Sequence, residues 1–548
     1  MRATNMKITS AKSRLFLASI LTLLLVVAAH AATPGITGPA FHLTAQPAFI
    51  TQPDGQMVYS WGYGCSGSPA GFAPSAISGA FCNTMQVPGP TLIVTEGQTV
   101  TVTLTNQLPG SAGNASILFP GFNVTATGGV AGLLTREAMP AGSCANALQC
   151  TVTYTFMASR PGTSAYYSGT QGDLQVEMGL YGAIVVLPSS VQAACTSGIF
   201  ATNRSAQTNW GEADFRLATS AYDSSRTCYD REYLFQFSEM DPRIHRQAEE
   251  QVAAKAGCRA GVAGCSLEVA TEPYHPAYFM INGRSMPDDM DPNYAVEYPH
   301  QPYNGNPHMH PGELVLLRII GQGRWQHPFH EHGNHVRILG RDGNLILAPD
   351  GTGLAGPLLF TTTTTPGQAM DGIFYWTAKG LNWDAYGHKT TSTDNNAKLP
   401  CAPDANGYNT LGVSYQTINY FEWCQDHNKP LEVNPFGDVT GGGPATLPDP
   451  NLFTNGPWYS GSPYLGPDAT SRATFGTCTG TNNSTSCSTT GTTPPSGTIA
   501  NNPSSEAGFA FMWHSHNERE ITTNNIFPGG MLMMMLVDSR EFVIDETN

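Results

Sequence analysis

Two short histidine segments, far apart in the chain, limit what this sequence can fold into. The first reads His327-Pro328-Phe329-His330-Glu331-His332-Gly333, and the second reads Trp513-His514-Ser515-His516. Each contains a His-x-His pair. On a β-strand, side chains at i and i+2 leave the backbone on the same face. A strand reading therefore presents His330 with His332, and His514 with His516, as two rows of imidazoles. Imidazole is a general ligand for zinc, copper, iron and nickel. His-x-x-His-x-His beside a second His-x-His is a strong metal signal.

The rest of the chain reads as strands and loops. Charged residues make up only 12% of it, with 58 glycines and 40 prolines, which points to an all-β protein with long loops. A length of 548 residues exceeds one hydrophobic core, so two or more domains are expected. The net charge of -15 argues against nucleic acid or an anionic membrane surface as partner.

Residues 1–31 read as a secretory signal. Lys7, Lys12 and Arg14 precede an apolar run from Leu15 to Ala29, and Ala29-His30-Ala31 fits a small-x-small cleavage site. The run is too short for a membrane span, and no later segment approaches one. The expected location is secreted, periplasmic or extracellular. The 12 cysteines fit an oxidising compartment. They fall into close neighbours: Cys65/Cys82, Cys144/Cys150, Cys195/Cys228, Cys258/Cys265, Cys401/Cys424 and Cys478/Cys487. Sequential pairing is the expectation, although spacing alone does not fix connectivity.

An N-terminal unit spans 32–188. Val100, Val102 and Leu104 alternate with threonines, and Met178 to Val186 forms an apolar closing strand. Residues 189–232 form a connector held by Cys195 and Cys228. The C-terminal unit spans 233–548. It contains one amphipathic helix candidate, Arg243 to Ala256, and strand patterns at Phe279 to Gly283 and Leu314 to Ile320. Between about 377 and 508 alternation gives way to Pro, Gly, Asn and Thr, which reads as a long irregular insertion.

The two histidine segments, the Val87–Leu108 strand pair, Gly179-Leu180-Tyr181-Gly182 and Ile281-Asn282-Gly283 together resemble the multicopper oxidases, the family of laccase and ascorbate oxidase. The resemblance covers roughly Phe41–Pro188, Tyr233–Trp376 and Phe509–Val537. It implies tandem cupredoxin-like Greek-key β-sandwiches with long loop insertions. It also implies copper as cofactor, with a mononuclear blue site coupled to a three-copper cluster.

Four ligand segments of that family can be located, and they fare differently. Where the family has His-x-His-Gly, this chain has Leu118 and Pro120 at the ligand positions. Where the family has Tyr-His-x-His, it has Tyr167 and Gly169. The third segment is intact. By resemblance His327 would bind the blue copper, and His330 and His332 the cluster. The fourth keeps His514 and His516 as cluster ligands, but Ser515 stands where the family has its cysteine, and Glu520 where it has the second blue-copper histidine. Met531 reaches the axial position only across an insertion. The implied metal ligands are thus His327, His330, His332, His514 and His516.

Blue copper needs His₂Cys ligation, so the resemblance implies a protein without a functional blue centre. It binds copper, or another divalent metal, at a residual histidine cluster with fewer ions than a complete oxidase. Two alternatives stand beside this. One is a non-catalytic structural or surface-interaction protein on the same scaffold. The other is a divergent copper-dependent oxidase of phenols or metal ions that recruits Tyr167, Glu518 or Glu520. Whether the chain is an enzyme stays open. Two-domain members of the family can place the cluster between subunits, which leaves homo-oligomerisation or surface assembly open. His308-Met309-His310 reads more readily as a solvent-facing loop than as a weak copper site. Glu331 reads as a supporting group or a surface residue, and at least one of Met533, Met534 and Met535 as core.

Overall fold

Strands dominate the described residues and build four large sheets, with a two-stranded ribbon of Val130–Ala131 and Arg136–Glu137 beside them. The computed structural model describes residues 33–74, 82–351, 353–376, 461–465, 507–538 and 544. The signal reading at 1–31 and most of the insertion reading at 377–508 lie outside the described residues, as do the cysteine pairs 401/424 and 478/487.

Two sheets form the first sandwich. One runs Gly162–Tyr167, Tyr181–Leu187, Leu92–Thr95, Gly35–Thr37, Phe72–Ala73. The other runs Met57–Cys65, Ala40–Thr51, Thr99–Asn106, Thr151–Met157, Thr125–Gly128. In Thr99–Asn106 every second residue is buried, so Val100, Val102 and Leu104 meet Leu92, Val94 and Ile184 from the facing sheet. Threonines cover the other side, as the period-two pattern requires.

The second sandwich has the same logic. Its first sheet runs Tyr278–Ile281, Arg231–Met240, Val315–Gly321, Ala369–Phe374, Val336–Arg341, Asn344–Leu345, with Leu358–Leu359 alongside Val336–Arg341. Its second runs His308–Met309, Leu532–Asp538, Ala507–Ser515, His327–Glu331, Thr361–Thr364, and Gly461–Leu465 pairs with Ala507–Ser515. Tyr233, Phe235 and Phe237 pack against Phe329, Phe511, Trp513, Met533 and Met535 between the sheets. Two of the three consecutive methionines are therefore core.

The sandwiches share a packed boundary. Val87 and Tyr181 of the first cluster with Met240, Tyr278 and Met280 of the second. The helix Pro242–Ala254, capped by the Asp241 side chain accepting from the Arg243 amide, lays Ile244 and Ala248 onto the first core. Across the same boundary Thr163 donates to Asp371 at 2.6 Å and accepts from Arg318 at 3.1 Å.

Four disulfides join cysteines 65–82, 144–150, 195–228 and 258–265, as sequential pairing expects. The connector also holds a helix, Gly198–Trp210, which the sequence reading did not foresee. Among the described residues no helix is long and apolar enough to cross a membrane.

Candidate metal centre

The two histidine strands are direct neighbours. His327–Glu331 pairs antiparallel with Ala507–Ser515, in the register Phe329 to Ser515, His330 to His514 and Glu331 to Trp513. Strand parity then sorts the side chains. His327, Phe329, Glu331, Trp513 and Ser515 take the core side, and His330, His332, His514 and His516 take the other. Gly333, at φ 98°, turns the chain away after His332. A side chain there would be strained and would press on the Phe511 ring 3.0 Å away.

The four outward imidazoles converge. His514 Nε2 lies 3.2 Å from His332 Nε2. The His330 ring centroid is 4.9 Å from that of His332, 5.5 Å from His514 and 4.7 Å from His516. Ligand atoms of His330, His332 and His514 all lie within 4.8 Å of one another, and these three residues are buried. His516 is exposed at the edge. Around a tetrahedral ion with bonds of about 2.0–2.1 Å, neighbouring nitrogens sit roughly 3.3 Å apart, so the pocket has the dimensions for one ion.

The charge state fits as well. Burial pushes the His330 imidazole down to about 4, and the neighbouring His516 and His514 act in the same direction. Burial also lowers His514, against the hydrogen bond its Nδ1 makes to the Ser515 carbonyl at 2.7 Å. At neutral pH both rings are uncharged and keep a lone pair, which ligation requires. The His514 bond also fixes its tautomer, with the proton on Nδ1 and the lone pair on Nε2.

His327 lies apart from these four, on the core side. Its Nδ1 bonds Glu520 Oε2 at 2.8 Å and its Nε2 bonds Glu239 Oε2 at 2.9 Å. Ser515 Oγ donates to the same Glu520 oxygen at 2.5 Å. Burial alone would lower His327, but the bonds to Glu239 and then Glu520 outweigh it and raise the ring to about 9. Both nitrogens of this imidazolium carry protons held by carboxylates. The residues at the three family blue-copper positions, His327, Ser515 and Glu520, thus satisfy one another by hydrogen bonds.

Glu239 was not singled out in the sequence, although a signal was there. It continues the inward register of Tyr233, Phe235 and Phe237, a charged residue where the pattern calls for an apolar one. Its second oxygen accepts the amides of Arg324 and Trp325 at 2.7 and 2.9 Å. Glu331 is neither exposed nor part of the cluster. It is fully buried, accepts from Thr362 Oγ1 at 2.6 Å, and burial raises its carboxyl to about 8.

His308-Met309-His310 is not a solvent-facing loop. Met309 and His310 are buried, His308 bonds Asp538 at 2.6 Å, and His310 bonds Glu212 at 2.6 Å. These carboxylates occupy the rings that the weak copper reading would need. In the first sandwich the family ligand positions are filled by packing. The Leu118 amide donates to the Tyr167 carbonyl at 2.7 Å. Leu118, Tyr167 and Gly169 line a cavity of about 310 Å³ with Val176, Gln322 and Pro366. None of the four clustered histidines lines it. Glu518 is exposed, and Glu520 faces His327 rather than the cluster.

Residues 77–191 match the family model for multicopper oxidase. That stretch, within the first sandwich and the start of the connector, is similar to a multicopper oxidase domain. No curated protein matches it. Among solved structures, the multicopper oxidase mgLAC is 14% identical over 91% of this chain and 86% of its own, with a TM-score of 0.42. The blue copper oxidase from Nitrosomonas europaea is 13% identical over 91% and 85%, with a TM-score of 0.41. The copper nitrite reductase from the same organism is 18% identical over 62% and 85%, with a TM-score of 0.36. The paired sheets make this multicopper-oxidase-like chain all-β, with tandem cupredoxin-like sandwiches.

Proposed function

We propose that this chain is an exported, multicopper-oxidase-like protein that binds copper at His330, His332 and His514, with His516 at the pocket edge. One observation carries the reading: three buried imidazoles from two paired strands place ligand nitrogens within 4.8 Å of one another. Imidazole nitrogens suit copper, and burial favours the neutral form of His330 and His514. In this reading His327 is not a ligand, because its nitrogens are committed to Glu239 and Glu520. Among the described residues no cysteine is free, so none of them offers the thiolate that blue copper needs. Copper bound here would supply a Lewis-acid and one-electron centre. The chain's own residues set the pocket, keep the imidazoles neutral and fix the His514 tautomer. The domain reading goes with it: units 32–188 and 233–548 joined by a connector at 189–232, with the insertion at 377–508.

The test is a titration of metal-stripped full-length protein with Cu²⁺, followed by electron paramagnetic resonance. A single tight site with nitrogen superhyperfine structure, lost in His332→Ala, supports the reading. No binding, or binding unchanged in His332→Ala, overturns it.

A further inference from the structure

We propose that Glu520 is a positioning residue for the histidine site. It works from the core side of the sheet, by clasping together the two strands that carry the four imidazoles. This inference rests on the metal-binding reading above and adds a role to a residue on the opposite face of the sheet from the four clustered histidines.

The argument starts from strand parity. Each histidine strand shows imidazoles on one face and the clasp on the other. Glu520 Oε2 takes a hydrogen bond from His327 on the first strand and another from Ser515 Oγ on the second. It is therefore a bridge between the two strands, three residues before His330 and at the residue between His514 and His516. Its other oxygen accepts from Asn517 Nδ2 at 2.8 Å. Its backbone joins in, since the Met531 amide donates to the Glu520 carbonyl at 2.8 Å and the Ser515 amide to the Met531 carbonyl at 2.9 Å. Glu239 holds His327 from the opposite edge of its ring. The whole chain Glu239–His327–Glu520–Ser515 is buried, with no member more than 1% exposed.

The clasp reaches the ligands through Ser515. That residue gives its hydroxyl proton to Glu520 and its carbonyl to His514 Nδ1–H. Moving Ser515 therefore rotates the carbonyl that selects the His514 tautomer and aims its Nε2. Groups that hold a ligand's second nitrogen commonly control metal affinity by 10–100-fold. Because Glu520 contacts both strands, it also governs the separation across the His330–His514 pair.

The experiment uses full-length, metal-stripped protein and Cu²⁺ alone as probe. Kd is measured by competition against a chromophoric chelator, and the copper hyperfine coupling by electron paramagnetic resonance. Glu520→Gln removes the negative charge facing the His327 imidazolium and sets an NH₂ donor against either Asn517 Nδ2 or the Ser515 and His327 donors. It is expected to weaken Cu²⁺ binding by about 10–100-fold and to change the hyperfine coupling. Ser515→Ala, which removes the hydroxyl and keeps the carbonyl, should shift the coupling in the same direction. Glu297→Gln, an exposed carboxylate on neither histidine strand nor the turn of Glu520, should leave Kd within about twofold, given how weakly exposed charges act. Wild-type Kd and coupling in folded Glu520→Gln overturn the proposal while leaving the metal site standing. If Glu520→Gln does not fold, Ser515→Ala decides the matter by the same readouts. Absence of Cu²⁺ binding by the unsubstituted protein overturns the metal reading and this inference with it.

Discussion

Replacing Glu239 with glutamine removes one carboxylate from His327 with little change in shape. His327 stands at about 9 in the folded protein and near 6.5 in an unfolded chain. A folded pKa raised above the unfolded value means that the folded state holds the proton more tightly. The resulting stability is fully present below pH 6.5 and is lost as pH rises through 9. The difference of roughly 2.5 units corresponds to about 3 kcal/mol. His327 is fully buried, so solvent screening does not reduce this much. Two carboxylates share the effect. Glu239→Gln should therefore cost about 2 kcal/mol at pH 6.5, toward the low end for breaking a buried ion pair because Glu520 remains. Near pH 10 His327 is neutral in both proteins, and the difference should shrink to a few tenths of a kcal/mol.

Urea unfolding followed by tryptophan fluorescence at both pH values gives the difference directly from the midpoints, provided the slope is unchanged. Glu331 contributes alkaline destabilisation of its own. Its folded value is raised to about 8, so its stability is present below the unfolded carboxyl value and is lost as pH rises through 8. That term is common to both proteins and cancels in the difference. A cost for Glu239→Gln that is the same at pH 6.5 and pH 10 would refute the protonated clasp. So would an unsubstituted protein as stable at pH 10 as at pH 6.5.

Further expectations follow from the same geometry. Since burial holds His330 down at about 4, copper uptake measured against pH should persist below pH 6, where free imidazoles protonate; a half-point at or above 6.5 contradicts the geometry. Copper-loaded unsubstituted protein should lack a strong visible charge-transfer band, and Ser515→Cys should not yield oxygen consumption with a phenol, because Glu520 still occupies the place of a histidine ligand. Steady oxygen uptake by either protein counts against this account of the site. Cys195→Ser with Cys228→Ser opens a bridge across 33 residues and should lower stability by about 4 kcal/mol on loop-entropy grounds; an unshifted urea midpoint would show that other contacts hold the connector, such as the buried ion pairs of Arg231 with Glu212 and Glu313.

What could be read from the sequence depended on whether a residue's role was local. His330 and His332 are two apart on one strand, as are His514 and His516, so parity alone predicts which faces they share. That the two strands adjoin is a tertiary fact, and only the resemblance supplied it. Val100, Val102 and Leu104 gave the first core by alternation, and the four observed disulfides join near neighbours. The helix Pro242–Ala254 was legible from its amphipathic pattern. Gly198–Trp210 was not, because its Thr, Asn, Ser and Gly content has poor helix propensity and its Ser197 cap makes no side-chain bond. The clasp was the hardest to read. Glu239, His327, Ser515 and Glu520 come from three distant segments; His327, Ser515 and Glu520 each read as the loss or survival of a copper ligand, and Glu239 drew no reading at all. Together they form one satisfied polar network. Removing a thiolate and an imidazole from a buried site leaves a cavity and unmet donors, both of which destabilise. A carboxylate from Glu520, a hydroxyl from Ser515 and a second carboxylate from Glu239 fill that space with matched donors and acceptors. On the proposed reading, the residues at the blue-copper positions are thus the ones that tie the two histidine strands together from the core side.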